Sequence, residues 1–150
     1  QNNVTSNSYY GLYFFRSTNN TISCNTISLN RFGIGLYYSS NNTFQHNNFI
    51  DNEEQVEHRG TPPPSNTWDD DAGEGNYWSD YTGQDLDGDG IGDTPYSIDA
   101  DNEDRYPLMG PVNVFDAGTW NNIAYHVNVA SNSTVSDFYF NPDEGAFIRF

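Results

Sequence analysis

The sequence predicts an all-β chain, and three observations predict it. Tyr, Phe, Thr, Asn and Gly dominate while Ala, Leu, Glu and Lys are scarce, which is a strand-and-turn composition. Residues 1–52 contain an internal repeat: Gly11-Leu12-Tyr13-Phe14-Phe15 lies over Gly33-Ile34-Gly35-Leu36-Tyr37 at an offset of 22 residues. The register then holds without a gap, with Asn19-Asn20-Thr21-Ile22 over Asn41-Asn42-Thr43-Phe44, Asn25 over Asn47, Ile27 over Phe49 and Asn30 over Asn52.

A period of that length, made of short alternating runs between Asn-rich turns, indicates a solenoid with one circuit of chain per repeat. Alternation points Ile34 and Leu36 inward from one strand, Phe44 and His46 from the next and Phe49 from the third. Gln1 to Tyr10 fits a partial further copy. Stacked circuits place each apolar residue over its equivalent, and the corner asparagines can bond their neighbours in ladders. Strands punctuated N-x-I-x-x-N, with G-I-x-L and S-S-N-N-T at this spacing, resemble the right-handed parallel β-helix repeats of the NosD-like, carbohydrate-binding-and-hydrolysis class, abundant in archaeal surface proteins. The resemblance implies the fold more than the function.

The periodicity breaks from Glu53 to Ser65, where acidic residues and Pro62-Pro63-Pro64 intervene, since serial proline cannot join a sheet ladder. Residues 53–111 are therefore expected to form a linker and a cap. Gly75-Asn76-Tyr77-Trp78-Ser79-Asp80-Tyr81, the aspartate-rich run after it, Thr94-Pro95-Tyr96 and Asp101-Asn102-Glu103-Asp104-Arg105-Tyr106-Pro107-Leu108-Met109 are similar to the segment that closes β-helices in NosD-like surface proteins. A solenoid end exposes core and unpaired edges, so a cap is a physical requirement, and Trp78, Tyr77 and Tyr81 are expected to cover the last coil. Residues 112–150 read as longer antiparallel strands, Ile123 to Ala130, Val135 to Phe140 and Ala146 to Phe150, the start of a β-sandwich. About two coils with open ends suggest a fragment of a longer chain, self-association through open β edges, or both.

The densest chemistry lies in Asp85-Leu86-Asp87-Gly88-Asp89-Gly90-Ile91-Gly92-Asp93. Asp85, Asp87 and Asp89, the Ile91 carbonyl and Asp93 occupy positions one, three, five, seven and nine of an EF-hand-like loop, with Gly90 at position six. Tyr96 stands where the bidentate Glu belongs, so a helix-flanked EF-hand is not expected. The pattern instead resembles the short calcium loops of thrombospondin type 3 repeats. Asp80, Asp99, Asp101, Asn102 and Asp104 are candidates to complete the shell of a bound Ca2+, and the last four could also hold a second ion. Asp69-Asp70-Asp71 with Glu74 lacks such spacing and reads as a solvated face. The NosD-like resemblance also carries an association with copper-enzyme maturation, which three scattered histidines do little to support. His46 shares its repeat position with Cys24, so a His–Cys copper pair would need the two stacked on one face.

A net charge of −16, with five arginines and no lysine, argues against a nucleic-acid partner and suits divalent cations or a cell surface. No apolar run reaches the length of a membrane span. Lone Cys24 cannot form an internal disulfide and reads as a small core residue. Asn3, Asn19, Asn41 and Asn132 begin sequons open to glycosylation on export. The expected function is a non-enzymatic structural protein of the cell surface or of an extracellular filament or sheath. The alternative is a carbohydrate-binding or polysaccharide-processing protein. Acidic-polysaccharide cleavage would need basic groups on the outer coil face, and the repeats supply only Arg16 and Arg31; Asp51, Glu53, Glu54 and Glu57 near the last coil read as solvation.

Overall fold

A computed structural model describes residues 2–60 and 65–112, and the backbone of two later strands. The chain divides into two compact units, Gln1–Val114 and Phe115–Phe150. The first runs through β1 (Asn3–Thr5), β2 (Tyr10–Phe15), β3 (Thr21–Ser23), β4 (Thr26–Ser28), β5 (Phe32–Tyr37), β6 (Thr43–Gln45), β7 (Asn48–Ile50), β8 (Glu54–Arg59) and β9 (Tyr77–Trp78). These strands form three sheets, ordered β1-β4-β7-β9, β2-β5-β8 and β3-β6, and every pairing among them is parallel. Up to β8 each sheet takes every third strand, so each circuit of chain visits the three in the same order.

The register is the sequence repeat made physical. Leu12 pairs with Ile34 and Ile34 with Val56; Ile22 pairs with Phe44; Val4, Ile27, Phe49 and Trp78 form the third column. Ile27, Ile34, Leu36, Phe44, Phe49, Val56, Trp68 and Trp78 are the buried core. Each such side chain contributes about 1.5–3 kcal/mol relative to exposure. Phe44 stacks on Trp68 and Phe49 on Trp78, ring centroids 4.5 and 4.2 Å apart, so both tryptophans continue the interior aromatic columns.

The structure differs from the sequence expectation at two places in the coils. The break after Glu53 interrupts the motif but not the hydrogen bonding: β8 pairs with β5 in the previous register, Thr67 bridges Thr43, and β9 extends the first sheet. Backbone ladders need only extended chain and one inward apolar residue, and Val56 supplies it beneath Ile34. His46 does not point inward from a strand. β6 ends at Gln45, and His46 turns the corner with φ 54°. A three-residue strand has room for one inward side chain, which is Phe44.

The corners recur in left-handed conformation at equivalent positions: Arg16 with Tyr38, Asn19 with Asn41, Cys24 with His46, and Ser6 with Leu29 and Asp51. Each such residue costs about 1–2 kcal/mol outside glycine. Stacking offsets the cost, because the corner N–H groups of Ser6, Arg16, Leu29, Tyr38 and His46 donate to Ser28, Tyr37, Ile50, Arg59 and Gly75 carbonyls of the next circuit at 2.8–3.1 Å.

Beside these corners run three asparagine ladders. The backbone and side-chain N–H groups of Asn20 donate to Asn42 Oδ1, and those of Asn42 to Asn66 Oδ1. Asn2, Asn25, Asn47 and Asn76 form the second ladder, and Asn7, Asn30 and Asn52 the third. The interior rungs Asn30, Asn42, Asn47 and Asn76 are buried, whereas the sequon residues Asn3, Asn19 and Asn41 are exposed. Asn132 lies outside the described residues.

After β9 the chain forms an antiparallel hairpin of β10 (Tyr96–Asp99) and β11 (Asn102–Asp104). Leu108 then bridges Tyr77 on one side and Ile91 on the other. Asn48 clasps Val112, donating to its carbonyl at 2.9 Å and accepting its N–H at 2.6 Å. In the second unit β12 (Asp137–Asn141) and β13 (Gly145–Arg149) pair antiparallel, from Asp137 opposite Arg149 to Asn141 opposite Gly145. The strand expected over Ile123 to Ala130 lies outside the described residues.

Candidate metal centres in the cap

The aspartate loop folds on itself. Asp85 Oδ1 accepts N–H bonds from Gly88 at 2.7 Å and Asp89 at 3.2 Å, and its Oδ2 accepts from Gly90 at 2.9 Å. Asp89 Oδ1 accepts from Ile91 N–H, and Asp93 closes the neck by accepting from Leu86 N–H. Gly88 and Gly90 have φ of 78° and 92°, a conformation that favours glycine. The N–H donors, Gly90 first, hold the Asp85 carboxyl below the usual range against the opposing effect of burial. Asp85, Asp87 and Asp89 each bring an oxygen within 4.8 Å of the others. The loop is pinned to the cap by Gly92 N–H to Pro107 and Met109 N–H to Gly90, at 2.8 and 3.0 Å.

The remaining candidate ligands take other partners. Asn102 Oδ1 accepts from Asn66 N–H at 2.9 Å and from Trp68 Nε1 at 3.2 Å, so it terminates the first asparagine ladder. Asp104 terminates the second: its Oδ2 accepts from Asn76 N–H at 2.7 Å and from Trp78 Nε1 at 2.8 Å. Burial pushes the Asp104 carboxyl up to about 6, against these donors. Gly75 has no alternative here, because an added Cβ would lie 1.8 Å from Asp104 Oδ1. The third ladder ends through Gln55, which accepts from Asn52 and donates to Asp80; Asp80 also accepts from the Tyr96 hydroxyl. The cap thus supplies a polar terminus for each ladder.

Asp99 accepts from Asp101 N–H and Asn102 Nδ2 and faces His58 Nδ1 at 2.5 Å. Burial lowers the His58 pKa, against the raising effect of the Asp99 carboxylate beside it. Asp101 is exposed and borders an open groove of about 280 Å³ with Trp68, Asp69 and Arg105.

Asp69 to Glu74 is not the solvated face expected. Asp69 is 2% exposed and holds the Arg105 guanidinium through Nε at 2.9 Å and a terminal nitrogen at 2.5 Å, while Asp71 contacts the same group. Asp70 Oδ1 accepts the N–H groups of Ala72, Gly73 and Glu74 at 2.8–3.0 Å, and its Oδ2 lies 3.7 Å from His46 Nε2. Glu74 Oε2 lies 3.1 Å from the same nitrogen. No sequence spacing joins His46 to Asp70, because the insertion before Ser65 hides the register that stacks them.

The family described as periplasmic copper-binding protein (NosD) matches residues 1–83, more than half of the chain. The chain belongs to the NosD family. A probable ABC transporter binding protein NosD of Stutzerimonas stutzeri is 39% identical over 101 residues, covering 67% of this chain and 22% of that protein. The protein of the same description from Pseudomonas aeruginosa is 40% identical over 101 residues, covering 67% and 23%. The match therefore spans less than a quarter of either NosD relative. No solved structure matches. The periplasmic description of the NosD family agrees with the extracellular or cell-surface location expected from the sequence. Among the described residues no helix is long and apolar enough to cross a membrane.

The copper named in the NosD description can be tested against the donors present. Cu(I) selects soft sulfur ligands. The chain has one cysteine and one methionine: Cys24 turns a coil corner, Met109 lies exposed beyond Leu108, and Cys24 joins neither group of ligands that converges among the described residues. His46, Asp70 and Glu74 do converge, as a nitrogen–oxygen set suited to a divalent transition ion.

Proposed function

We propose that the chain is part of a right-handed parallel β-helix closed by a calcium-clasped cap, and that it serves a non-enzymatic structural role at the cell surface or in an extracellular filament or sheath. The observation that carries this reading is the convergence of Asp85, Asp87 and Asp89 on a loop whose Gly90 and Gly92 are bonded to the Pro107–Met109 rung. Like charges about 4 Å apart repel by about 1 kcal/mol per pair even in bulk water, and more at a protein surface. A Ca2+ ion coordinated by these oxygens reverses that term and fixes the loop against Leu108. Strands β1, β2 and β3 lie at the open side of their sheets, where a further coil, in cis or in trans, would stack.

Thermal unfolding with and without calcium tests the clasp. Ca2+ at about 100 times its Kd should add about 2.7 kcal/mol, and Asp87→Asn together with Asp89→Asn should abolish the gain. Equal melting temperatures in calcium and in chelator would remove calcium from the account.

Carbohydrate binding is the second reading, favoured by the face of the β2-β5-β8 sheet that carries Tyr13 and Phe15. Tyr13, Phe15 and Tyr38 are each about half exposed, and Phe15 and Tyr37 stack at 5.3 Å. Arg16 lies over the Phe15 ring, and Arg59 follows in register beside Tyr37. Exposed aromatic planes flanked by guanidinium groups suit a sugar ring bearing a carboxylate. Saturable binding on a glycan array, lost in Tyr13→Ala with Phe15→Ala while the fold persists, would favour this reading. Turnover of an acidic polysaccharide would overturn the non-enzymatic role.

A further inference from the structure

We infer that His46, Asp70 and Glu74 form a binding site for a divalent transition ion, with Cu2+ held more tightly than Zn2+. The site is separate from the aspartate loop. His46 is placed by the coil: its left-handed corner is fixed by its N–H bond to Gly75 at 2.8 Å. Its Nε2 is shielded from solvent and makes no hydrogen bond, yet it stands 3.1 Å from Glu74 Oε2 and 3.7 Å from Asp70 Oδ2. Asp70 is positioned by division of labour between its oxygens, since Oδ1 caps the three N–H groups of the Ala72–Glu74 turn and Oδ2 is left facing the imidazole. The turn is closed by Asp70 N–H to the Glu74 carbonyl at 2.9 Å, which carries Glu74 back to the same nitrogen. Glu74 is largely exposed and leaves the site open to solvent on one side.

Chemistry selects the ion. An imidazole nitrogen disfavours Ca2+ and Mg2+, which seek oxygen, and the absence of sulfur among the three donors disfavours Cu(I). For a mixed nitrogen and carboxylate set the affinity order peaks at Cu2+, with Zn2+ below it. The competing occupant is a proton on Nε2, which would leave an ion pair with the two carboxylates and no metal.

The test titrates Cu2+ into the full chain with calcium present in excess to occupy the aspartate loop, reading isothermal heat and the electron paramagnetic resonance spectrum. The expected result is one equivalent whose spectrum carries coupling to a single imidazole nitrogen, with Zn2+ competing at higher concentration. His46→Gln should remove the nitrogen coupling and weaken binding by about tenfold or more, the order of loss seen when a metal's supporting partners are removed. Glu74→Gln should weaken binding while keeping the nitrogen coupling; Glu74 caps nothing, so this variant keeps the turn. His58→Gln should change neither readout. Survival of the nitrogen coupling in His46→Gln, its loss in His58→Gln, or no Cu2+ binding to the unaltered chain would each overturn the site. The outcome is distinct from that of the calcium test, which reads melting temperature and the Asp87 and Asp89 variants.

Discussion

Replacing Trp78 with alanine is expected to lower the unfolding free energy of the first unit by about 3–5 kcal/mol, the range for deleting a buried tryptophan. The side chain is 1% exposed and sits between two rings, Phe49 at 4.2 Å and Tyr96 at 4.3 Å, both within 8° of parallel. Phe49 belongs to the last regular coil and Tyr96 to the cap hairpin, so this one residue joins the two. It also donates Nε1–H to Asp104 at 2.8 Å. Trp78→Phe separates these contributions, because it keeps most of the stack and removes the donor. Its expected cost is about 1–3 kcal/mol, that of a buried polar group left unpaired. Urea denaturation followed by far-UV circular dichroism measures both. A loss below about 1 kcal/mol in the alanine variant would mean that the coils stand without their cover.

Much of this arrangement was legible in the sequence because it repeats. Gly11 over Gly33 and Asn25 over Asn47 fix a register that the backbone then follows, with Asn25 donating to Asn47 as the offset required. Alternation placed Ile34, Leu36, Phe44 and Phe49 correctly for the same reason. What could not be read is where the repeat continues without its motif. The β8 strand shares only backbone geometry and Val56 with its predecessor, and the insertion around Pro62-Pro63-Pro64 lengthens the next step from Thr43 to Thr67 and from Phe49 to Trp78. Contacts across that insertion were hidden, among them His46 with Asp70, and the Asp69–Arg105 pair beyond it has no repeat to reveal it. Acidic residues were also overread as ligands. Spacing identifies oxygens that can converge, and Asp85, Asp87 and Asp89 do; it does not reveal that Asn102 and Asp104 face the open ends of asparagine ladders. The physical clue is that a chain of amide donors closes on a group that only accepts, and the three ladders run out at the carboxylates of Asp99, Asp104 and Asp80.

Asp104 offers the sharpest test of that terminal role, through pH. Its carboxyl is raised from an ordinary value of 3.8 to about 6, first by burial, so the folded state holds the proton more tightly than the unfolded chain. The sign follows: the contribution of Asp104 is fully present below about pH 4 and is lost as pH rises through about 6. Asp104→Asn cannot ionise. The stability of the wild type minus that of Asp104→Asn should therefore shift in favour of the wild type by on the order of 3 kcal/mol as pH falls from 7 to 4. Subtraction removes other groups common to both proteins, including Asp69, Asp70 and Asp99, whose lowered pKa values act in the opposite direction. Asp104→Ala should behave differently, costing about 2–5 kcal/mol across the whole range, because the Trp78 indole and Asn76 N–H groups lose their shared acceptor. Paired urea melts at pH 4, 5, 6 and 7 distinguish the outcomes. A constant difference between wild type and Asp104→Asn would mean that the ionised carboxylate is held without penalty, and a harmless Asp104→Ala would mean that the ladder needs no terminus.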